Sequence, residues 1–535
     1  MGPPSLPRQA LPATPLGRRT LLGVVARWFL LLCLWGLVAG CALPTLDHRT
    51  HSTAISHEQA SATRLGLAVE PQVTAHPGKS GVHSLQDPHE AFAARVFLAK
   101  TADRTLDVQY YIWRGDMTGT LLLEALHAAA DRGVRVRLLL DDNGTTGLDE
   151  ELSALDSHPY IEVRLFNPFV VRRPKWLGFV TDFSRANRRM HNKSFTADNL
   201  VTIVGGRNIG DAYFGAGDGL LFIDLDVFAI GPVVGCVSDD FDRYWVSQSS
   251  YPAARILPPV REDRLNQLAA KASRVERDPQ AFNYVNAVRR ASSVAGLMTG
   301  DLELSWSNVT MVSDDPAKGL GLAEPEDLLI RQLGEILGEP ARDVELVSPY
   351  FVPTAAGVAA FSALSERGVR VRVLTNSLEA TDVAAVHAGY AKRRKALLKS
   401  GVELYEIRRR TSEVERGKSA GPLGSSASSL HAKTFSVDRE RVFVGSFNFD
   451  PRSSNLNTEL GFIIDSPELA QQIDEVFDQK IQSHSYEVRL SEKGRLYWLE
   501  QQGDTQVRHD SEPRAGLWRR SGVFLLSLLP IEWLL

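Results

Sequence analysis

The stretch His191-Asn192-Lys193-Ser194-Phe195-Thr196-Ala197-Asp198 recurs 240 residues later as His431-Ala432-Lys433-Thr434-Phe435-Ser436-Val437-Asp438. In each copy an asparagine follows the histidine by 17 residues, Asn208 in the first and Asn448 in the second. A single His-x-Lys triplet carries little information, but two copies with identical spacing are not expected by chance. Together they supply two imidazoles and two ammonium groups, which are the groups that phosphodiester transfer through a covalent phosphohistidine requires.

The two copies belong to a longer internal repeat. Arg132-Gly133-Val134-Arg135-Val136-Arg137 recurs as Arg367-Gly368-Val369-Arg370-Val371-Arg372 at nearly the same offset. Upstream of these stretches lie strand-like runs with aromatic residues, 106–113 and 344–351, and apolar-periodic helical runs, 121–132 and 356–367. Strands that alternate with helices predict α/β layers. A repeat this long indicates a duplicated domain rather than a solenoid.

The spacing inside the motif predicts which side chains meet. Residues i and i+2 of a strand point to the same face, so His191 and Lys193 are expected to project together, as are His431 and Lys433. We therefore predict an α/β fold with two duplicated α/β/α domains. Their pairing about a pseudo-twofold axis would bring both His-Lys pairs to one active site at the interface.

Each group in such a site has an expected role. One histidine attacks phosphorus, while the other protonates the leaving oxygen and then activates the incoming hydroxyl. The two lysines neutralise the phosphoryl oxygens, and Asn208 and Asn448 act as neutral donors. With four such donors, neither a metal ion nor another cofactor is expected.

The motif aspartates are expected at turns. Residues 190–197 and 200–204 predict adjacent strands joined at Asp198-Asn199, and the second copy has its turn at Asp438-Arg439. We count Asp198 and Asp438 with the catalytic set, where they orient the histidines or support the turns.

At these residues the chain resembles the phospholipase D superfamily and, within it, bacterial cardiolipin synthases of the C type. The resemblance runs from about Ser84 to the C-terminus and includes Asp107-Val108-Gln109-Tyr110-Tyr111-Ile112-Trp113 and Gly445-Ser446-Phe447-Asn448-Phe449-Asp450-Pro451-Arg452-Ser453. It implies two phospholipase D-like domains and transfer of a phosphatidyl group to the glycerol headgroup of phosphatidylglycerol. For the C type it implies phosphatidylethanolamine as the donor.

The resemblance also implies roles for single residues. His191 would be the nucleophile and His431 the general acid and base, although the motif itself is symmetric. Ser446 fits the Gly-Ser-x-Asn pattern of the family, whereas the first copy has Gly206 at that position. Glu459 matches a family position near the second motif, from which it would orient His191 across the pseudo-twofold axis.

The N-terminus is typical of a bacterial lipoprotein signal. Residues 1–40 contain four arginines and no acidic residue, and a short apolar run, 28–39, precedes Cys41. We predict a signal peptide over 1–40 and a lipidated Cys41 that anchors the protein in the bacterial cell envelope. An uncleaved N-terminal anchor is the alternative. A polar tether is predicted over 41–81.

Composition places the remaining boundaries. We predict a first phospholipase D-like domain over 82–255, an inter-domain connection over 256–325, and a second such domain over 326–490. The C-terminal segment 491–535 contains paired arginines, two tryptophans near its end and bulky apolar residues, which favours a membrane-interfacial segment. A terminal helix docked on the protein's own core is the alternative.

The charge balance bears on partners. Without its first forty residues the chain has 56 basic against 64 acidic residues, and a nucleic-acid binder would normally show a basic excess. Phospholipid substrates and a membrane surface are therefore the expected partners, and nucleic acid is not. A phosphodiesterase that hydrolyses phospholipid or nucleic acid stays open as an alternative. Two intact motifs argue against a catalytically inactive scaffold.

Overall fold

The computed structural model describes residues 2, 43–216, 221–259, 263–277, 279–290, 293–409 and 429–535. The predicted signal peptide 1–40, Gly2 apart, and the predicted lipidation site Cys41 lie outside these residues.

The first half of the chain builds a mixed sheet with helices on its faces. The strands of this half are β1 (Ser80–Leu85), β2 (Thr105–Ile112), β3 (Arg135–Gly144), β4 (Ile161–Phe166), β5 (Ser194–Ala197), β6 (Val201–Gly205), β7 (Phe222–Ile223), β8 (Asp226–Ile230), β9 (Ser250–Pro252) and β10 (Ser305–Ser307). Strand β7 lies outside the sheet and pairs with β15 of the second half. Its helices are α1 (His57–Ser61), α2 (Arg64–Ala75), α3 (Pro88–Thr101), α4 (Met117–Asp131), α5 (Asp149–Asp156), α6 (Leu177–Thr181), α7 (Phe183–Ala186), α8 (Asp211–Phe214), α9 (Pro232–Trp245), α10 (Arg264–Arg277) and α11 (Pro279–Arg290).

The second half repeats this arrangement. Its strands are β11 (Val309–Ser313), β12 (Asp343–Val347), β13 (Arg370–Asn376), β14 (Glu403–Ile407), β15 (Ser429–Leu430), β16 (Thr434–Val437), β17 (Arg441–Gly445), β18 (Leu460–Asp465), β19 (Ser485–Leu490), β20 (Leu496–Gln502) and β21 (Thr505–His509). Its helices are α12 (Leu329–Leu337), α13 (Thr354–Glu366), α14 (Ala384–Lys399), α15 (Pro451–Asn455), α16 (Pro467–Glu475), α17 (Ile481–His484) and α18 (Leu517–Ser527).

The strand order confirms the duplication. Within the described residues the first sheet runs β10-β1-β8-β6-β5-β2-β3-β4-β9, and the second runs β11-β18-β17-β16-β12-β13-β14-β19-β20-β21. From β1 and β11 onward the two orders match strand for strand through β9 and β19. In both sheets only the pairs that correspond to β2/β3 and β3/β4 are parallel. The predicted α/β class and its two equivalent domains are therefore confirmed.

Local sequence explains the central elements. The parallel strands β3 and β13 carry runs of buried aliphatic residues, as is typical of strands that are covered on both faces. The helices before them, α4 and α13, are followed by Gly133 and Gly368, whose φ values are +88° and +85°. This left-handed conformation suits a glycine just past a helix end. The second strand-like run ends earlier than predicted, at Val347, since Pro349 follows.

An apolar layer holds the two halves together. Val204 and Val227 of the first sheet pack in one cluster with Val442, Val444 and Phe462 of the second. These side chains come from the central strands β6, β8, β17 and β18, so the sheets meet face to face beside the strands that carry the motifs. Burial of aliphatic surface stabilises this contact.

Two predicted boundaries differ from the structure. Residues 43–81, for which the sequence predicts a tether, contain α1, α2 and the start of β1, and Leu65 and Val69 are buried in the core of the first half. The segment 256–325 is more than a connection, because α10 and α11 add side chains to that same core. Its strands β10 and β11 join different sheets. The polar composition of these segments gave no sign of the elements, because only a few apolar residues in each, such as Leu65 and Leu268, pack into the core.

The C-terminal segment also differs from its prediction. Strands β20 and β21 extend the second sheet, so that domain continues past 490. Helix α18 buries one face, where Val523 packs with Leu378 and Ala388. Its other face is exposed, including Trp518 (90%) and Phe524 (63%). No helix among the described residues has the length and apolar character needed to cross a bilayer.

The motif aspartates shape two hairpin turns. Asp198 and Asn199 both have positive φ, as do Asp438 and Arg439, which is the geometry of a type I′ turn. The Asp198 carboxylate accepts hydrogen bonds from the backbone N–H groups of residues 103, 104 and 105. Asp438 accepts from residues 341, 342 and 343 in the same way. Each aspartate therefore ties a turn to the loop that precedes a central strand.

We expect Asp198→Asn to lower thermal stability more than Asp438→Asn. Oδ2 of Asp198 is the acceptor for the Asp103 N–H, and an amide nitrogen in its place would face that donor without a bond. Oδ1 of Asp438 accepts from all three amides, and Oδ2 only shares the Ala341 N–H with it, so an asparagine can keep one bond to each amide. The loss at Asp198 should be about 1–3 kcal/mol, measured as a drop in unfolding temperature. Equal shifts in the two variants would contradict this account.

Candidate active site

Each motif histidine is held in place by the opposite half of the molecule. The backbone N–H of His191 donates to the Thr458 carbonyl oxygen (2.8 Å), and the backbone N–H of His431 donates to the Ile223 carbonyl oxygen (2.8 Å). The segment before β16, strand β15, pairs with β7 of the first half. Its counterpart, Met190, forms a bridge with Thr458.

These cross-half contacts change one sequence prediction. A single strand is predicted over 190–197, but the regular ladder starts at Ser194. His191 and Lys193 lie in the extended segment before it, because that segment bonds to the other half instead of to its own sheet. Both motifs behave alike, so the two His-Lys pairs meet where the halves join.

A carboxylate from the opposite half contacts each imidazole. Glu459 Oε2 lies 2.8 Å from His191 Nδ1, and Asp224 Oδ2 lies 2.6 Å from His431 Nδ1. Both carboxylates are nearly or fully buried. A partner on Nδ1 orients the ring and leaves Nε2 available for chemistry.

Asp224 is a site residue that the sequence analysis missed. A signal was present, since each carboxylate comes just before the strand that follows the Gly-x-x-Asn stretch: Asp224 before β8 and Glu459 before β18. The two positions differ in residue type and in distance from the motif, which conceals the correspondence.

The two lysines are buried beside the histidines. Each Nζ donates to the carbonyl oxygen of its own motif histidine, and Lys433 Nζ also lies 3.0 Å from His431 Nδ1. Burial lowers the pKa of Lys193 to about 7 and that of Lys433 to about 8. Glu459 and Asp224 act in the opposite direction on both lysines. An anion bound here would restore the charged ammonium forms.

The four groups of the two motifs form one electrostatic unit. Burial, followed by the charges of Lys193 and Lys433, holds the pKa of His191 well below its ordinary value. Burial and Lys433 lower the pKa of His431 to about 4, with Lys193 adding to the shift and Asp224 opposing it. Each lysine thus acts on the histidine of the other half as well as on its own. Both imidazoles are neutral near pH 7 in the free protein.

The two carboxylates differ in protonation. Burial raises the pKa of Glu459 to about 7, although Lys193 and a hydrogen bond from Ser446 oppose the shift. Burial also acts to raise the pKa of Asp224, but His431 and Lys433 outweigh it and hold that pKa well below its ordinary value. The carboxylate at His431 is therefore the more firmly ionised of the two.

The structure explains why Ser446 has no counterpart in the first motif. Ser446 Oγ donates to Glu459 Oε2 at 2.5 Å. At the corresponding position a Cβ on Gly206 would overlap the Asp224 carboxylate. Glycine therefore leaves room for the shorter acid to reach His431.

The two predicted asparagines occupy different environments. Asn208 Oδ1 accepts from the Ile112 N–H, and its Nδ2 donates to the Tyr213 hydroxyl at 3.1 Å. Tyr213 in turn presents its ring to His431 at a centroid distance of 5.2 Å. Asn448 is buried, and its Oδ1 has no hydrogen-bond partner among the described residues. Asn208 thus positions a tyrosine beside one histidine, while Asn448 keeps a free polar atom.

Aromatic and cationic side chains complete the surroundings. Tyr111 contacts His191 edge-on, with ring centroids 5.0 Å apart. Arg452 also lowers the pKa of His191 and donates to Asn187 Oδ1 and to the Leu534 carbonyl oxygen. It thereby links the site to both the first half and the C-terminal segment. Sequence reasoning gave no role to Tyr111 or Arg452.

The motif aspartates are not part of this group. Strands β5 and β16 separate Asp198 and Asp438 from the histidines, and the two carboxylates bind the amides of the loops that precede β2 and β12. Of their two predicted roles, the structure supports the turns and not contact with the imidazoles. Divalent cations are disfavoured at the site itself, because two buried lysines would repel them.

Comparison with known proteins agrees with this geometry. The family described as "Cardiolipin synthase, PLD-like domain" matches residues 97–245 and 333–481. Cardiolipin synthase C of Escherichia coli (strain K12) is 51% identical over 472 residues, which cover 88% of this chain and all of that protein. Cardiolipin synthase A of Pseudomonas entomophila (strain L48) is 27% identical over 74% of this chain and 68% of that protein.

A solved structure shares the fold. Phosphatidylserine synthase from Haemophilus influenzae Rd KW20 superposes with a TM-score of 0.52 at 14% identity, covering 79% of this chain and 92% of that one. The family match spans both halves and includes both His-Lys motifs. The chain therefore belongs to the phospholipase D-like cardiolipin synthase family, as its duplicated motif predicts.

Proposed function

We propose that this protein is a cardiolipin synthase that moves a phosphatidyl group from phosphatidylethanolamine to phosphatidylglycerol through a phosphohistidine. The observation that carries the proposal is the paired arrangement of two neutral, carboxylate-held imidazoles with two buried lysines. The high identity to a cardiolipin synthase C over that relative's whole length supports this choice of reaction.

The first step is displacement of the donor headgroup. His191 Nε2 attacks phosphorus, the N–P bond forms, and the P–O bond to ethanolamine breaks. His431, which takes up a proton once the bound phosphodiester has offset the lysine charges, gives this Nε2 proton to the leaving oxygen. Lys193 and Lys433 neutralise the phosphoryl oxygens as negative charge builds up in the transition state.

The assignment of the nucleophile rests on the different pKa values of the two carboxylates that contact the histidines. His431 faces Asp224, the more firmly ionised acid, and this contact raises the pKa of His431. A bound phosphodiester anion adds to the effect by offsetting the lysine charges. The pKa values of both histidines lie below the ordinary value, but the contact with Asp224 makes His431 the better proton carrier, which leaves His191 as the nucleophile.

The second step reverses the first with a new alcohol. Neutral His431 takes the proton of the terminal glycerol hydroxyl of phosphatidylglycerol, whose oxygen attacks phosphorus. The P–O bond forms, the N–P bond breaks, and His191 is regenerated. Water in place of the glycerol would give phosphatidic acid, which is the hydrolase alternative.

We further propose that the enzyme works at a membrane surface with its C-terminal segment in the interface. Trp518, Phe524 and Leu525 are exposed on the outer face of α18. A second exposed apolar group, Trp176 and Val180, belongs to the first half. Arg452 connects the neighbourhoods of both, since it bonds to Asn187 and Leu534. Apolar side chains around a site that takes lipids favour this orientation. A lipidated Cys41 would add a second anchor.

Replacement of the two histidines should separate their roles. In vesicles of phosphatidylethanolamine and phosphatidylglycerol, His191→Ala and His431→Ala should both make no cardiolipin. With a phosphatidyl donor whose headgroup is p-nitrophenol, which leaves without a proton, His431→Ala should still release one nitrophenolate per enzyme. His191→Ala should release none. The reverse pattern would exchange the roles, and wild-type protein that makes only phosphatidic acid would establish the hydrolase.

The pH dependence should report the lysines. We expect kcat/KM to fall as pH rises above about 7 to 8, because Lys193 and Lys433 lose their protons in the free enzyme. Glu459→Gln removes a charge that raises both lysine pKa values, so the alkaline limb should move to lower pH, apart from any loss of rate. Asp438→Asn, outside the site and expected to keep its bonds to the turn-supporting amides, is the matched control. An unmoved limb in Glu459→Gln would refute the coupling.

Membrane binding should depend on both anchors. The triple serine variant of Trp518, Phe524 and Leu525 should bind vesicles at least ~10-fold more weakly, because apolar area no longer enters the interface. Leu322→Ser, at a residue of similar exposure (70%), is the control and should bind normally. Cys41→Ser should abolish fatty-acid labelling and move part of the protein out of the membrane fraction. Unchanged binding of the triple variant in a Cys41→Ser background would disprove the C-terminal role.

A further inference from the structure

A large apolar cavity lies beside His431. Its volume is about 450 Å³, and its walls include Asp224 and Ala432, the contact and the chain neighbour of that histidine. Its lining combines aliphatic side chains of the second sheet and of the helices after β18 with residues 223–227 of the first half. Exposed Gln472 and Lys480 mark where it meets solvent. The size is within the range of ligand pockets.

The equivalent space in the first half is filled. There Leu139, Phe166, Met190, Phe241, Tyr244 and Trp245 form a closed cluster in which every member is 0–1% exposed. Helices α9 and α16 correspond, because each follows the strand equivalent to β8 and begins at a proline, Pro232 or Pro467.

Equivalent contacts show what emptied the second half. Arg137 lies over Phe241 and pairs with Asp242, and its counterpart Arg372 lies over Phe477 and pairs with Asp478. In this register Tyr244 corresponds to Lys480, and Trp245 corresponds to Ile481. Phe166, the last residue of β4, corresponds to Ile407, the last residue of β14. Protein interiors rarely keep voids larger than a water molecule, and this fold fills the same place with aromatic rings in its other half. The vacancy is therefore a property of the second-half sequence and not of the architecture.

We propose that this cavity receives one acyl chain of the acceptor phospholipid. The inference rests on the proposed function and deepens it. In an in-line displacement at phosphorus, with His191 as the nucleophile, the leaving headgroup and the incoming alcohol occupy the side of His431. The cavity lies on that side, next to Asp224. Lys480 at its edge suits the anionic charge of phosphatidylglycerol.

An anchored acceptor would decide between transfer and hydrolysis. Both outcomes start from the same phosphohistidine and differ in which hydroxyl reaches it. A chain held in the cavity keeps the glycerol hydroxyl near His431 and raises its effective concentration against water. The apolar chain also excludes water from that side of the site.

The test copies the first half into the second. In Ile481→Trp combined with Ile407→Phe, aromatic rings stand where the first half has Trp245 and Phe166, so the cavity is occupied. In mixed vesicles we expect cardiolipin formation to fall at least ~10-fold and the share of phosphatidic acid to rise. The nitrophenolate burst from the activated donor should stay within about twofold. Val246→Phe, at an exposed position after α9, is the matched control and should behave like wild type.

Failure of this inference and failure of the proposed function look different. If wild type makes no cardiolipin, the proposed function is wrong. If wild type makes it and the double variant keeps the same ratio of cardiolipin to phosphatidic acid, or loses burst and transfer together while folded, the cavity inference is overturned.

A labelling experiment on wild-type protein covers the case of a variant that does not fold. Phosphatidylglycerol with a diazirine at the end of one acyl chain should label residues 469–481, and unlabelled phosphatidylglycerol should compete. Labelling confined to 517–535 would show that the chain stays at the surface and would also overturn the inference.

Discussion

Each motif imidazole is held by the half of the molecule that does not carry it. Thr458 and Glu459 of the second half bind His191, and Ile223 and Asp224 of the first half bind His431. Neither half alone therefore contains an oriented histidine. The apolar contact between the two sheets, centred on residues such as Val227 and Phe462, is the condition for the site to exist. The packing of the two sheets and the orientation of the histidines therefore depend on each other.

These contacts between the halves also bring several ionisable groups together in a buried place. Two ammonium groups, two imidazoles and two carboxylates share a space that is largely closed to water, so burial shifts the pKa values of all of them. The lysine pKa values come close to neutrality, and the histidines stay uncharged. Such a site is short of negative charge, and a phosphodiester supplies it. In the mechanism proposed above, affinity for the substrate and activation of the nucleophile would have one physical origin.

Duplication produced two halves with the same fold. The functional asymmetry of the site comes from positions at which the two halves carry different residues. Gly206 and Ser446 occupy equivalent positions, yet the glycine makes room for Asp224 while the serine donates to Glu459. The aromatic cluster around Trp245 fills a space that Ile407 and Ile481 leave open in the second half. A symmetric pair of motifs thereby acquires a proton-holding side, and we infer that this same side holds the acceptor.

The sequence by itself determined what depends on local pattern. The repeated His-x-Lys spacing, the Arg-Gly-Val-Arg-Val-Arg repeat and the glycines after α4 and α13 predicted the duplication, the α/β order and the histidines and lysines, because periodicity and turn chemistry act over a few residues. Only the tertiary structure decided which distant groups meet. Asp224 lies 207 residues from His431 along the chain. Leu65 and Val69 pack into the core from a segment whose composition predicts a tether. The carboxylate of Asp198 binds the loop before β2 and not a histidine, although Asp198 belongs to the motif. These outcomes depend on how two sheets and their helices pack, and that packing is set by long-range contacts that leave no regular spacing in the sequence.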